Sequence, residues 1–413
     1  MLAAASLFFP LTRLIGVEVD CPFTPAMLRK VAYAGSQSAS FVQAVADLAA
    51  LAEVTVSRQR VGRWTQRIGD ECVAQAEALA EAYQALALPE RRKSPRGQVP
   101  QVACVMMDGG RIQLRERRAE NRAASGYWKE SLVGCCLSMT SAERPQDPCP
   151  VIPQTFVDPE RMHELSREIK GVSASAADTA APPDEFPIDR DGRPQVLVKS
   201  LVATRHGPNV LGPRLVAEAH ARGFHAARRK AFVADGSATN WSVHQQHFSH
   251  YTPILDFTHA ICYVYAAALA GRNHHAAWDD YMRWAQGLWE GATDKLIAAV
   301  QARADELGPP PAGDETSPAA LVAKTLGYLK NQCSRMKYDE YRRLGLPITS
   351  SHIESAIKQI NRRLKGTEKF WDRGAEPLLQ LVAAHLSQTN QLDQFWKTRR
   401  QQLHTIRCYQ SAA

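Results

Sequence analysis

Three acidic residues stand where metal chemistry would want them. Asp108 and Asp235 each end a short apolar run and precede glycine, while Glu354 lies at the start of an amphipathic pattern in GLPITSSHIESAIKQINRRLKGTEKF. Hard divalent cations take oxygen ligands, and carboxylates on three separate elements leave coordination positions open for water and phosphate. The set points to metal-dependent phosphodiester chemistry, with Asp108, Asp235 and Glu354 as candidate catalytic and metal-binding residues. Mg2+ is the expected cofactor, with Mn2+ as its substitute.

Each carboxylate also has a plainer reading. Ser351-x-x-Glu354 is a capping box, and Asp108-Gly109 suits a hairpin turn that needs positive φ. After Glu354, Lys358, Asn361, Arg362 and Lys365 recur on its helical face, a ladder that suits a metal ion beside a phosphate backbone or a solvated face alike, and Lys358, Arg362 and Lys365 are candidate phosphate contacts. The opposite face, Ile353, Ala356, Ile357, Ile360 and Leu364, is apolar and should pack inward.

The elements that must position these groups are short strands. The β-rich run 99–107 predicts a buried strand ending at Asp108-Gly109-Gly110, and 230–234 predicts a second one ending at Asp235. Strands are also expected at 131–139, 195–202 and 252–257, the last delivering Asp256 and His259 to a helix start. Arg111, Arg115, Arg117, Arg118 and Arg122 form a basic run, and Glu130 is a candidate supporting carboxylate. Residues 142–194 are rich in Pro, Ala, Ser and Asp and read as loop around a short helix near 159–169.

The N-terminal third is helical. Phe41 to Ala52 makes one amphipathic helix, and Ser57 caps a second that turns Val61, Trp64 and Ile68 inward, giving a helix-turn-helix pattern. Arg58, Gln59, Arg60, Arg63 and Arg67 then face outward, a set suited to phosphates and base edges in a major groove; a helical hairpin with a polar face has the same pattern. A further helix is expected from about Asp70 to Leu86, before the proline-rich linker PERRKSPRGQVP.

A formal charge of +8 and a pI near 9.0 favour a polyanionic partner. Nine cysteines without a CxxC pair read as reduced core thiols in a cytoplasmic protein, here expected at the nucleoid. No apolar run reaches the roughly 18 residues of a membrane span, so no membrane partner is expected. His259-x-x-Cys262 with His274-His275 lacks the second paired motif of a zinc site.

Several blocks together resemble the DDE transposases of bacterial insertion sequences, especially the ISKra group: VMMDGG, VADGSATNW, ILDFTHA, LPITSSHIESAIKQINRRLKGTEKFW and GAEPLLQL. The resemblance runs in order over most of 99–384, weakest in 142–194. It implies an α/β fold: a ribonuclease-H-like core of mixed sheet with flanking helices, an all-helical insertion, and Asp108, Asp235 and Glu354 as the acidic triad. Related Mutator-like enzymes carry an Asp-x-x-His after the second acid, which Asp256 and His259 match in a supporting role. The implied layout is an N-terminal helical DNA-binding region (1–88), a first core part (99–258), a helical insertion (259–345), a second core part (346–390) and a tail (391–413). The implied activity is cleavage at element ends and transfer of 3′ ends to target DNA, by a homo-oligomer on double-stranded DNA. A catalytically silent DNA-binding relic and a nuclease without strand transfer are the alternatives. Members often have a longer N-terminal region with zinc-binding cysteines, whereas only Cys21 stands near the start here.

Overall fold

The computed structural model describes residues 21–411 apart from 96, 115–127, 170–192, 367, 368, 370 and 372. Its centre is a five-stranded mixed sheet of order β3-β2-β1-β4-β5, flanked by helices. The strands are β1 (Val102–Gln113), β2 (Trp128–Thr140), β3 (Gln195–Thr204), β4 (Arg229–Ala234) and β5 (Thr252–Leu255). The first three pair antiparallel, and β4 and β5 run parallel to β1. Parallel strands are covered on both faces, and accordingly Val102 to Met107 and Ala231 to Ala234 are all fully buried.

The first strand does not stop at its aspartate. It continues through Asp108, Gly109 and Gly110 to Gln113, paired with β2 alone, so Asp-Gly is no turn here. Gly110 lies under the helix that begins at Ser351: a Cβ there would press on Ser131 Oγ at 3.2 Å and touch Ile357 at an ordinary 3.6 Å.

Three N-terminal helices, α1 (Pro25–Gln37), α2 (Phe41–Ala52) and α3 (Arg58–Ala85), are capped by Thr24, Ser40 and Ser57. The expected helices 57–68 and 70–86 are one continuous 28-residue element. Gly69, where the pattern suggested a break, serves packing: a Cβ there would lie 2.4 Å from the Pro377 carbonyl oxygen. These helices share a second apolar core, including Phe23, Val31, Trp64 and Ile68, with Leu381 and Phe395 from the chain's far end.

After β2 come α4 (Pro159–Ile169), then α5 (Pro208–Ala221) between β3 and β4, and α6 (Ala238–His247) between β4 and β5. Five helices follow β5: α7 (Phe257–Leu269), α8 (His274–Trp289), α9 (Thr293–Leu307), α10 (Pro318–Gln332) and α11 (Tyr338–Arg343). Gly291, at φ 69°, divides α8 from α9 inside the expected helical insertion of 259–345. The irregular stretch before α4 is pinned to this array: Trp289 Nε1 donates to the Cys149 carbonyl (2.7 Å), Tyr281 Oη to the Phe156 carbonyl (2.6 Å), and Arg342 Nε to Asp147 (2.9 Å).

The chain returns to the sheet with α12 (Ser351–Leu364) and α13 (Ala375–Leu386), and ends in α14 (Gln391–Ser411). The apolar stripe of α12 is buried as expected, and Ile357 meets β1 at Gly110. Among the described residues no helix is long and apolar enough to cross a membrane.

Candidate metal centre

The register of the parallel strands brings the aspartates together. Met107 of β1 pairs with Ala234 of β4, so Asp108 and Asp235 are the next residues on adjacent strands. Asp256 N then donates to the Ala234 carbonyl (2.8 Å), setting Asp256 beside Asp235 at the end of β5. Three neighbouring parallel strands thus each lead into an aspartate, at the edge where an open sheet leaves its binding crevice. Glu354, in the first turn of α12, supplies the fourth carboxylate.

Each is held differently. Asp108 Oδ1 accepts from Gly109 N (2.6 Å). Asp235 Oδ1 accepts from Ser237 N (3.0 Å) and from the Asn240 amide (2.8 Å), and that same amide donates to the Met107 carbonyl (3.2 Å). Buried Asn240 therefore ties the end of β1 to the carboxylate on β4. From α10, Tyr328 Oη donates to the Asp235 carbonyl (2.9 Å) and Gln332 Nε2 to the Gly236 carbonyl (3.1 Å). Gly236 sits at φ 98°, and a Cβ there would meet the Tyr328 ring at 2.9 Å. Tyr328 in turn stacks on Tyr263 of α7, centroids 4.0 Å apart.

Asp256 is the N-cap of α7, accepting from Thr258 N (3.0 Å), and it holds His259 Nδ1 at 2.6 Å. Ser350 Oγ lies 2.7 Å from Asp256 Oδ2 and 3.2 Å from Glu354 Oε1; a hydroxyl has one proton, and the shorter contact takes it. Ser350, not Ser351, is the N-cap of α12, and the Glu354 carboxylate reaches that hydroxyl instead of closing a capping box. One donor atom each of Asp256, His259 and Glu354 lie within 4.8 Å of one another, a group that could hold a metal ion.

Electrostatics mark the same place. Burial, then the Asp235 charge, push the Asp108 carboxyl up to about 7. Burial and the nearby Asp256 charge also raise Glu354. Burial would lower His259, but its hydrogen bond to Asp256 and the charges of Asp256, Glu354 and Asp235 carry it up to about 9. Burial alone would raise Asp256; the His259 hydrogen bond and charge outweigh it, and Asp256 stays below the usual carboxylate range. Acids crowded in a low-dielectric crevice with one imidazole among them form an anionic site, and a cation relieves it.

Lys358, Arg362 and Lys365 are exposed on and just after α12, with Lys365 Nζ 5.6 Å from the Trp128 ring. Arg58, Gln59, Arg60, Arg63 and Arg67 are exposed along the first turns of α3; the Arg67 guanidinium lies over Trp64 and 3.8 Å from Glu71. Glu130 pairs with Arg111 across β1–β2 and turns its carboxylate to Gly109, so strand alternation puts it on the face opposite Asp108. It is no neighbour of the acidic group. Arg115, Arg117, Arg118 and Arg122 lie outside the described residues. Cys262 is a buried core thiol. Asn240, Tyr328 and Gln332 have no signal in the sequence, since an amide or phenol that bonds backbone carries no local pattern.

No family model matches this sequence, and none of the curated proteins matches it either.

Proposed function

We propose that this chain is a DNA transposase with a ribonuclease-H-like core, cutting phosphodiester bonds at element ends and joining the freed 3′ ends to target DNA. The observation that carries the reading is that Asp108, where β1 leaves its pairing with β4, Asp235, at the end of β4, and Glu354, on α12, lie within one another's fields. A mixed sheet of order β3-β2-β1-β4-β5, with β2 alone reversed and helices on its flanks, agrees with the mixed sheet and flanking helices expected of such a core and supports the reading. So does a helical array between the second and third acids.

The donor set fits a hard dication: carboxylate oxygens from three elements, one of them, Asp108, raised to about 7 by burial and its acidic neighbour. Asp108, Asp235 and Glu354 would hold Mg2+, or Mn2+ in its place. The chemistry supplied by ions held there would be activation of a water or hydroxyl nucleophile and charge neutralisation at the leaving oxygen. The chain's own part is orientation. Asn240 fixes the Asp235 carboxylate against β1, Tyr328 and Gln332 fix the turn behind it, and Ser350 links Glu354 to Asp256. Lys358, Arg362 and Lys365 hold phosphates leading to the acids, and the exposed start of α3 reads the duplex. Two element ends must be joined together, so the working form is a homo-oligomer on DNA.

The test is a cleavage and strand-transfer assay on DNA carrying the inverted repeats that flank the gene, with Mg2+ or Mn2+, comparing the chain with Glu354→Gln. Metal-dependent joined products lost in the variant are expected. Cleaved but never joined ends would replace the transposase reading by a nuclease. Salt-sensitive binding without products would make the chain a DNA-binding relic.

A further inference from the structure

Asp256 lies closest to His259 and Glu354, yet it is the poorest candidate ligand of the group. It is fully buried, and both its oxygens are engaged: Oδ1 by Thr258 N (3.0 Å) and Ser350 N (3.3 Å), Oδ2 by His259 Nδ1 (2.6 Å) and Ser350 Oγ (2.7 Å). Four donors saturate a carboxylate. What this arrangement fixes is His259. With Nδ1 committed to Asp256, Nε2 is the nitrogen left for a cation, which displaces the proton that the fields of Asp108, Asp235 and Glu354 hold there; the side chain is 19% exposed.

An imidazole whose rear nitrogen is held by a buried carboxylate is the arrangement that sets tautomer and ring orientation for metal binding. The chain builds it compactly, because Asp256 caps α7 and His259 lies in the first turn. Tyr328, one layer behind, leaves no space for the Asp235–Gly236 turn to retreat.

We propose that His259 ligates a divalent ion through Nε2, beside Glu354, with Asp256 as the carboxylate that orients it. The centre is then a mixed nitrogen and oxygen site, in which Mn2+ is favoured over Mg2+, since imidazole suits transition ions better than alkaline earths. The proposal rests on the metal-centre half of the proposed function and not on its DNA chemistry.

The test uses the full chain without DNA. Mn2+ is added to protein carrying natural-abundance or 15N-labelled histidine, and pulsed electron paramagnetic resonance reads nitrogen coupled to the ion. A directly coordinated nitrogen whose pattern changes with the label is expected in the unsubstituted chain, so the central reading needs no variant to fold. In His259→Gln the coupling should vanish and Mn2+ affinity should fall by about tenfold or more, with Mg2+ affinity less affected; Asp256→Asn should keep the coupling and weaken Mn2+ binding by about tenfold. Stoichiometric Mn2+ lacking nitrogen coupling but displaced in Glu354→Gln overturns the proposal and leaves the carboxylate centre standing. Coupling that survives in His259→Gln overturns it too, by assigning another histidine. No Mn2+ binding at all removes the metal centre and the proposal together.

Discussion

Two sets of acids lie at the same end of this sheet, and only one of them has a buried arginine of its own. On the antiparallel side, Thr204 of β3 is level with Gly109 of β1 through Leu132, and beside it lies Glu376 of α13. That carboxylate accepts from Thr204 Oγ1 (2.8 Å), Arg205 N (2.9 Å) and the buried Arg214 guanidinium (2.8 Å), which also reaches Glu77 of α3 (3.0 Å). On the parallel side, Asp108, Asp235, Asp256 and Glu354 share a single imidazole, and Asp108 is driven up to about 7. A buried charge with its own arginine is architecture; half-buried carboxylates crowded on one another are waiting for a ligand.

The widest separation should appear in activity. Asp108→Asn, Asp235→Asn and Glu354→Gln should each lower metal-dependent cleavage by about a thousandfold or more, roughly 4 kcal/mol of transition-state stabilisation, while DNA binding stays measurable. None should destabilise the metal-free fold. If Asp108→Asn unfolded the chain as a core defect does, the distinction between the two groups would collapse.

The mirror experiment touches stability instead. Glu376→Ala leaves the Arg214 guanidinium buried without its short partner and should cost about 3–5 kcal/mol in urea unfolding. Mn2+ affinity of the folded variant should be unchanged. A Glu376→Ala chain of normal stability would mean that Glu77 alone satisfies Arg214.

The pH dependence of the metal-free protein sharpens the contrast. Asp108 keeps its proton up to about 7 in the folded chain, against 3.8 as the ordinary value, so the unfolded chain ionises first. The stability it contributes is intact below the lower value and lost as pH rises through the higher one. Thermal midpoints taken across that window should fall more steeply for the unsubstituted chain than for Asp108→Asn, and saturating Mg2+ should flatten the difference. Equal slopes would show that Asp108 does not feel its neighbours.

Asn240 offers a smaller effect on the same side. Asn240→Ala removes the donor that joins the Met107 carbonyl to the Asp235 carboxylate, at a cost of about 1–3 kcal/mol, and should weaken Mn2+ binding about tenfold. Calorimetric titration of the folded variant checks it; unchanged affinity would leave Asn240 a packing residue.

Much of this geometry is legible in order along the chain and some is not, for physical reasons. Apolar runs mark the strands, and the stripe of α12 marks its buried face, because periodicity records burial directly. Asp108 reads as the end of its strand because glycine favours turns, whereas Gly109 and Gly110 keep to the ladder, Gly109 under Glu130 and Gly110 under α12. Gly69 misleads in the same way about α3. Glu376 reads as an ordinary helix-start residue, since nothing in GAEPLLQL reveals an arginine 162 positions earlier. Asp256 and His259 are visible as a spacing, but the saturation of Asp256 by Ser350 needs two segments brought together in space.

The smallest effect concerns the cation that accompanies each group. Arg214 is buried and fixed between two carboxylates, whereas Lys358, one turn after Glu354, is exposed, and its charge lowers the Glu354 carboxyl. An exposed ammonium holds its counter-ion weakly, so Lys358→Gln should move stability by no more than about 0.5 kcal/mol. If it faces a phosphate, as its place on the Glu354 helix suggests, the change should instead appear as a drop of about 0.9 in the slope of log affinity against log salt. Binding measured at several salt concentrations separates the two: a lost contact with DNA alters the slope, while a lost contact within the fold alters only the melting curve.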